Sequence, residues 1–160
     1  MSLSVQKRRE DLFRRIASGR GGATAILLNP RLVAEAQLKL EELKPMVVAE
    51  MQGAIERIRD FAASEASVDR IFAEAHDVRG LAGSYGFAGS GVVAGAIRTY
   101  GENRPGDFTP DWPLLRLLAQ MLGRTFESPD ATPGALASLC REAVTKVMAR
   151  EGREPPEGAF

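Results

Sequence analysis

One cysteine, one histidine and one tryptophan are all that 160 residues supply of these types. The lone Cys140 excludes an internal disulfide framework and suits a reducing compartment. The lone His76 excludes any zinc site that needs two histidines from this chain. Net charge is missing too. Lys and Arg total 21, as do Asp and Glu, so overall charge offers no argument for nucleic acid or an anionic membrane as partner. No stretch approaches the roughly 20 uncharged apolar residues that cross a bilayer. The N-terminus, MSLSVQKRREDLFRR, has no apolar run of signal-peptide length, and its charges begin at Lys7. A cytoplasmic protein without a membrane partner is expected. There is enough apolar material for a core: the chain is 44% hydrophobic, and one domain of this length buries about 70% of its unfolded surface.

Charge is unevenly spread. Residues 1–31 hold seven basic groups and two acids, a net +5, and the remainder carries −5. Periodicity is helical throughout, with no alternating strand pattern. Residues 4–17 read as a short basic helix with Leu12, Phe13 and Ile16 on one side, closed by Gly19–Gly22. Asn29-Pro30 reads as a cap followed by a first helical proline. From there Val33, Ala36, Leu40, Leu43, Val47, Met51, Ala54, Ile58 and Phe61 recur at helical spacing, giving a long helix to about Ala63. Pro45 within it is expected to kink or split it. Further helices are expected at about Ser67–Tyr85, Ser90–Tyr100 (rich in Gly and Ala, hence closely packed), from Asp111-Trp112-Pro113 onward, and Gly134–Arg150. In the last of these Leu136, Leu139, Cys140, Val144 and Val147 are placed inward. Three segments result: a basic arm at 1–29, an all-α antiparallel bundle at 30–150, and a disordered tail at 151–160. With no unpaired heptad seam, a monomer is expected.

The second of these helices carries the chemistry. On a wheel of about 100° per residue, Val68, Ile71, Ala75, Val78, Ala82 and Tyr85 share one face, and His76 falls about 120° from its centre. His76 is therefore expected at the surface, with Ala73, Gly80 and Gly83 on its strip and Arg79 one turn on. Glycine inside a helix costs about 1 kcal/mol relative to alanine, so these glycines need a reason. Close helix packing is one. Clearance for a molecule reaching the imidazole is the other, and the wheel favours it for Gly80. Gly86, near the helix end, suits a cap. A histidine accepts a phosphoryl group when it is exposed, neutral and near a cation. An ordinary pKa near 6.5 supplies the neutral form, and Arg79 supplies a planar fork of donors.

The segment Ala75-His76-Asp77-Val78-Arg79-Gly80-Leu81-Ala82-Gly83-Ser84-Tyr85-Gly86-Phe87 strongly resembles the signature of histidine-containing phosphotransfer domains, His-x-x-Lys/Arg-Gly-x-x-x-x-x-Gly. His76, Arg79, Gly80 and Gly86 match it position by position, with Arg79 standing where the family usually has lysine. The resemblance implies a four-helix bundle, here with an added N-terminal basic helix or arm. It implies a phosphorelay carrier in which His76 is phosphorylated, Arg79 contacts the phosphoryl group, and Ala73, Gly80, Gly83 and Gly86 belong to the partner-facing motif. The partners implied are receiver domains of response regulators or hybrid histidine kinases. The carrier is then no enzyme in its own right and needs no cofactor or metal, because magnesium comes with the receiver.

Other signals carry less. Gly89-Ser90-Gly91-Val92-Val93-Ala94 matches a dinucleotide-binding pattern but follows a helix, not a strand. No P-loop is present, so ATP binding is unsupported. Cys140 reads as core. The basic arm reads as a solvated helix face, with an acidic docking partner or weak nucleic-acid contact as alternatives. Two other functions compete with the carrier: a related bundle that binds kinases or receivers as scaffold or inhibitor without carrying phosphate, and a helical adaptor outside phosphotransfer.

Overall fold

A computed structural model describes residues 30–130, 132–156 and 158. These form five helices and no strand: α1 (Pro30–Ser64), α2 (Val68–Ala82), α3 (Ala88–Gly101), α4 (Trp112–Glu127) and α5 (Pro133–Arg150). The expected basic helix at 4–17, and the arm to residue 29, lie outside the described residues. The chain divides into two compact units, residues 1–45 and 46–160.

Of the first unit, residues 30–45 are described, and all are helical and exposed. Val33, Ala36, Leu40 and Leu43 thus differ from the buried stripe that their spacing suggested. Of the two outcomes expected at Pro45, a kink or a split, the split does not occur: the helix runs unbroken through it. The ring forfeits one backbone hydrogen bond, and the Leu, Glu, Lys and Met residues around it are strong helix formers. Pro45 instead closes the first unit.

The second unit is organised around α3, which packs against α2, α4 and α5. Its composition is the reason. Gly89, Ser90, Val93, Ala94, Gly95 and Ala96 are buried in succession or near it, and their small side chains let neighbours approach from several sides. The closest approach is at Gly101, where an added Cβ would sit 2.8 Å from ring carbons of Phe72. Around it Ile58, Ile71, Val78, Ile97, Leu115, Leu118, Leu122, Val144 and Met148 complete one core. α4 starts as its sequence indicates: the Asp111 side chain accepts from the Leu114 backbone N–H at 2.8 Å, with proline in the first turn. In α5 the buried residues are Cys140, Val144, Val147 and Met148. Leu139, expected inward, is exposed, because it lies about 120° from the centre of that face.

The chain after α5 is tied down at Arg153, inside the segment read as a disordered tail. Its guanidinium donates to the carbonyls of Tyr100 and Glu102 at 2.6 and 2.9 Å and lies over the Tyr100 and Phe108 rings. Tyr100 is fully buried; its hydroxyl donates to Glu151 at 2.6 Å and accepts from the Asp111 backbone N–H at 2.7 Å. One phenol thereby joins the ends of α3 and α5 to the start of α4. Burial first, then the bond to Glu151, pushes its ionisation upward.

Candidate functional site

The site is built on α2. Ser67 precedes the helix in extended conformation, and Asp69 in the first turn complements the helix dipole. Ile71, Phe72, Ala75, Val78 and Ala82 form the buried face. Phe72 was not on the expected face; Val68 is half-buried. The helix ends at Ala82, three residues before the expected Tyr85. Residues 83–86 continue as turns, and Gly86 closes them. Its φ of +88° suits glycine, and the chain reverses there with the Phe87 N–H donating to the Ala82 carbonyl at 2.9 Å. Gly86 is a helix-terminating residue, as its position near the end suggested.

On the other side of α2 the expected strip is intact: Ala73, His76, Arg79, Gly80 and Gly83 are all exposed. A Cβ on Gly80 or Gly83 would meet no heavy atom within 4 Å. Neither glycine is therefore needed for helix packing, and the space beside the imidazole is open. Arg79 leans toward α3. Its Cδ and Nε lie 3.6 Å from where a Gly95 Cβ would stand, an ordinary contact distance, so the arginine stem lies along α3 at Gly95.

Toward α1, His76 and Gly80 border a groove of about 530 Å³ floored by Met51, Ala54 and Val78. Its rim carries an ion cluster. Arg57 donates from Nε and Nη2 to the two Glu74 oxygens at 2.7 and 2.9 Å, and from Nη2 to Glu50 at 3.1 Å. Glu74 first, then Glu50, holds the guanidinium in its charged form. The bidentate fork fixes Arg57 and Glu74 relative to each other across α1 and α2. Sequence reasoning missed this cluster, since nothing in the local pattern pairs Arg57 with a carboxylate 17 residues away.

No group of three or more His, Cys, Asp or Glu side chains that could hold a metal occurs among the described residues. Cys140 is buried, and burial pushes its thiol up to about 11, which makes it a poor nucleophile near neutral pH. No helix among the described residues is long and apolar enough to cross a membrane. The arrangement thus presents one exposed imidazole between a groove and a guanidinium, with small residues around it. No family model, curated protein or solved structure matches the chain.

Proposed function

We propose that this chain is a histidine phosphotransfer carrier that relays a phosphoryl group on His76 between receiver domains. The observation that carries the reading is the open surface at Gly80 and Gly83, beside an exposed histidine with an arginine one turn on. Stability alone would favour alanine at such positions; a partner that must approach the imidazole favours their being bare. The helices of the second unit are read as the four-helix phosphotransfer bundle, extended by one further helix. The protein works in the cytoplasm on this reading.

In the forward step an unprotonated ring nitrogen of His76 attacks the phosphorus of a receiver's aspartyl phosphate. The N–P bond forms as the acyl P–O bond breaks, and the carboxylate leaves with the electron pair. Return to a second receiver reverses the step. His76 is the nucleophile. Arg79 offers charge-assisted donors to the phosphoryl oxygens, and its stem lies along α3 at Gly95. The receiver brings magnesium, so the carrier has no cofactor of its own.

The test is incubation with a receiver domain labelled at its aspartyl phosphate. Acid-labile, base-stable label on this chain is expected, and His76→Gln should take none. Label that persists in His76→Gln, or no label with several receivers, would refute the proposal.

A further inference from the structure

We propose that the exposed helical stretch Pro30–Pro45 is a self-association surface on which a second copy of this chain docks antiparallel. Leu32, Val33, Leu40 and Leu43 there are 43%, 40%, 47% and 47% exposed. With Ala36 they fall within an arc of about 100° on the helix wheel. Single exposed leucines are ordinary, but an apolar stripe over about 18 Å of helix, at about 1.5 Å per residue, is a contact surface.

The charges on one border of the stripe say what covers it. Arg31, Glu35, Lys39 and Glu42 alternate in sign along that border, with Arg31 and Glu35 also paired along the helix at 3.4 Å. A second copy running in the opposite direction reverses the order. Arg31 then faces the partner's Glu42, and Glu35 faces the partner's Lys39. The two-fold relation repeats each pair, so the contact is self-complementary. A parallel, in-register pair instead turns this border toward the one that carries Gln37 and Lys44, and sets Lys39 against the partner's Lys44. Border charges of this kind choose orientation in paired helices. The surface is short, so the complex is of the weak, exchanging kind. On this proposal the chain is not the monomer expected from the sequence, because Val33, Ala36, Leu40 and Leu43 form an exposed seam on this helix.

Sedimentation of the full chain at up to about 100 µM tests this. A concentration-dependent dimer is expected. Leu40→Glu with Leu43→Glu should leave a monomer of unchanged helical content. Lys39→Glu alone and Glu35→Lys alone each place like charges opposite one another, and should weaken association on the order of tenfold. Mixing those two variants should restore it, because each then meets its opposite. A wild-type monomer overturns the proposal. So does a dimer indifferent to the charge variants, or a monomer whose residues 30–45 resist hydrogen exchange, which would assign the stripe to the chain's own N-terminal arm.

Discussion

Replacing Gly80 by alanine should stabilise this protein, while the same change at Gly101 should destabilise it. Both glycines lie in helices, so propensity alone predicts a gain of about 0.5–1 kcal/mol for each. The surroundings separate them. At Gly80 the new methyl meets nothing within 4 Å, and the propensity gain stands undiminished. At Gly101 it would sit 2.8 Å from three atoms of the Phe72 ring, itself packed edge-on against Tyr100. Overpacking of that kind costs about 1–3 kcal/mol, more than propensity returns. For a chain of this size about 1 kcal/mol moves Tm by roughly 2–4 °C. Thermal unfolding followed by far-UV circular dichroism should show Gly80→Ala rising by about that amount and Gly101→Ala falling. A bulkier change, Gly80→Leu, should keep wild-type stability or better and yet lose phosphoryl transfer, since it fills the space a receiver needs. A clear fall in Tm for Gly80→Ala would refute the reasoning: Gly80 would then be a packing residue, and the cleared surface beside His76 would lose its explanation.

Further outcomes follow from single contacts. Arg79→Ala should slow transfer or shorten the lifetime of phosphohistidine, through loss of a charge-assisted contact worth roughly 1.5–3 kcal/mol; a quench-flow series with one receiver measures it, and an unchanged rate would remove Arg79 from the site. His76→Gln should leave Tm within about 1–2 °C of wild type, because the side chain is exposed and off the core. Tyr100→Phe should cost about 1–3 kcal/mol in urea unfolding, since the Asp111 N–H and a Glu151 oxygen both lose the phenolic hydroxyl. Stability should also fall in alkali. The Cys140 thiol ionises from about 9 in the unfolded chain but only at about 11 when buried, so the unfolded state sheds its proton first. The contribution is whole below pH 9 and is lost as pH rises through 11. Comparing wild type with Cys140→Ala across that range should reveal a difference of at most roughly 2–3 kcal/mol in pH dependence.

What the sequence determined by itself was local in origin. Helix spacing, the Asn29-Pro30 start, the Asp111 cap and the Gly86 stop are written in neighbouring residues, and all but the Asn29 cap, which precedes the described residues, are seen in the five helices. The wheel that put His76, Ala73, Gly80 and Gly83 at the surface needs only a period of about 3.6 residues, and the exposure of all four follows it. Inward faces were less legible, as at Leu139, which lies about 120° from the centre of the face that α5 buries.

Tertiary structure decided the rest, because it depends on what stands opposite. Periodicity marks Leu40 and Ile58 alike as apolar stripe residues of one helix, yet Ile58 has a core to enter and Leu40 has none. Gly80 and Gly101 are the same residue in the same kind of helix; only the Phe72 ring makes one obligatory and leaves the other bare. Arg57 finds Glu74 across two helices, and Arg153 finds the carbonyls at the end of α3 from 53 residues away. A sequence fixes which groups carry charge and which faces are apolar. Which of them meet is settled by the packing of small-residue α3 against its neighbours, a property of the folded chain as a whole.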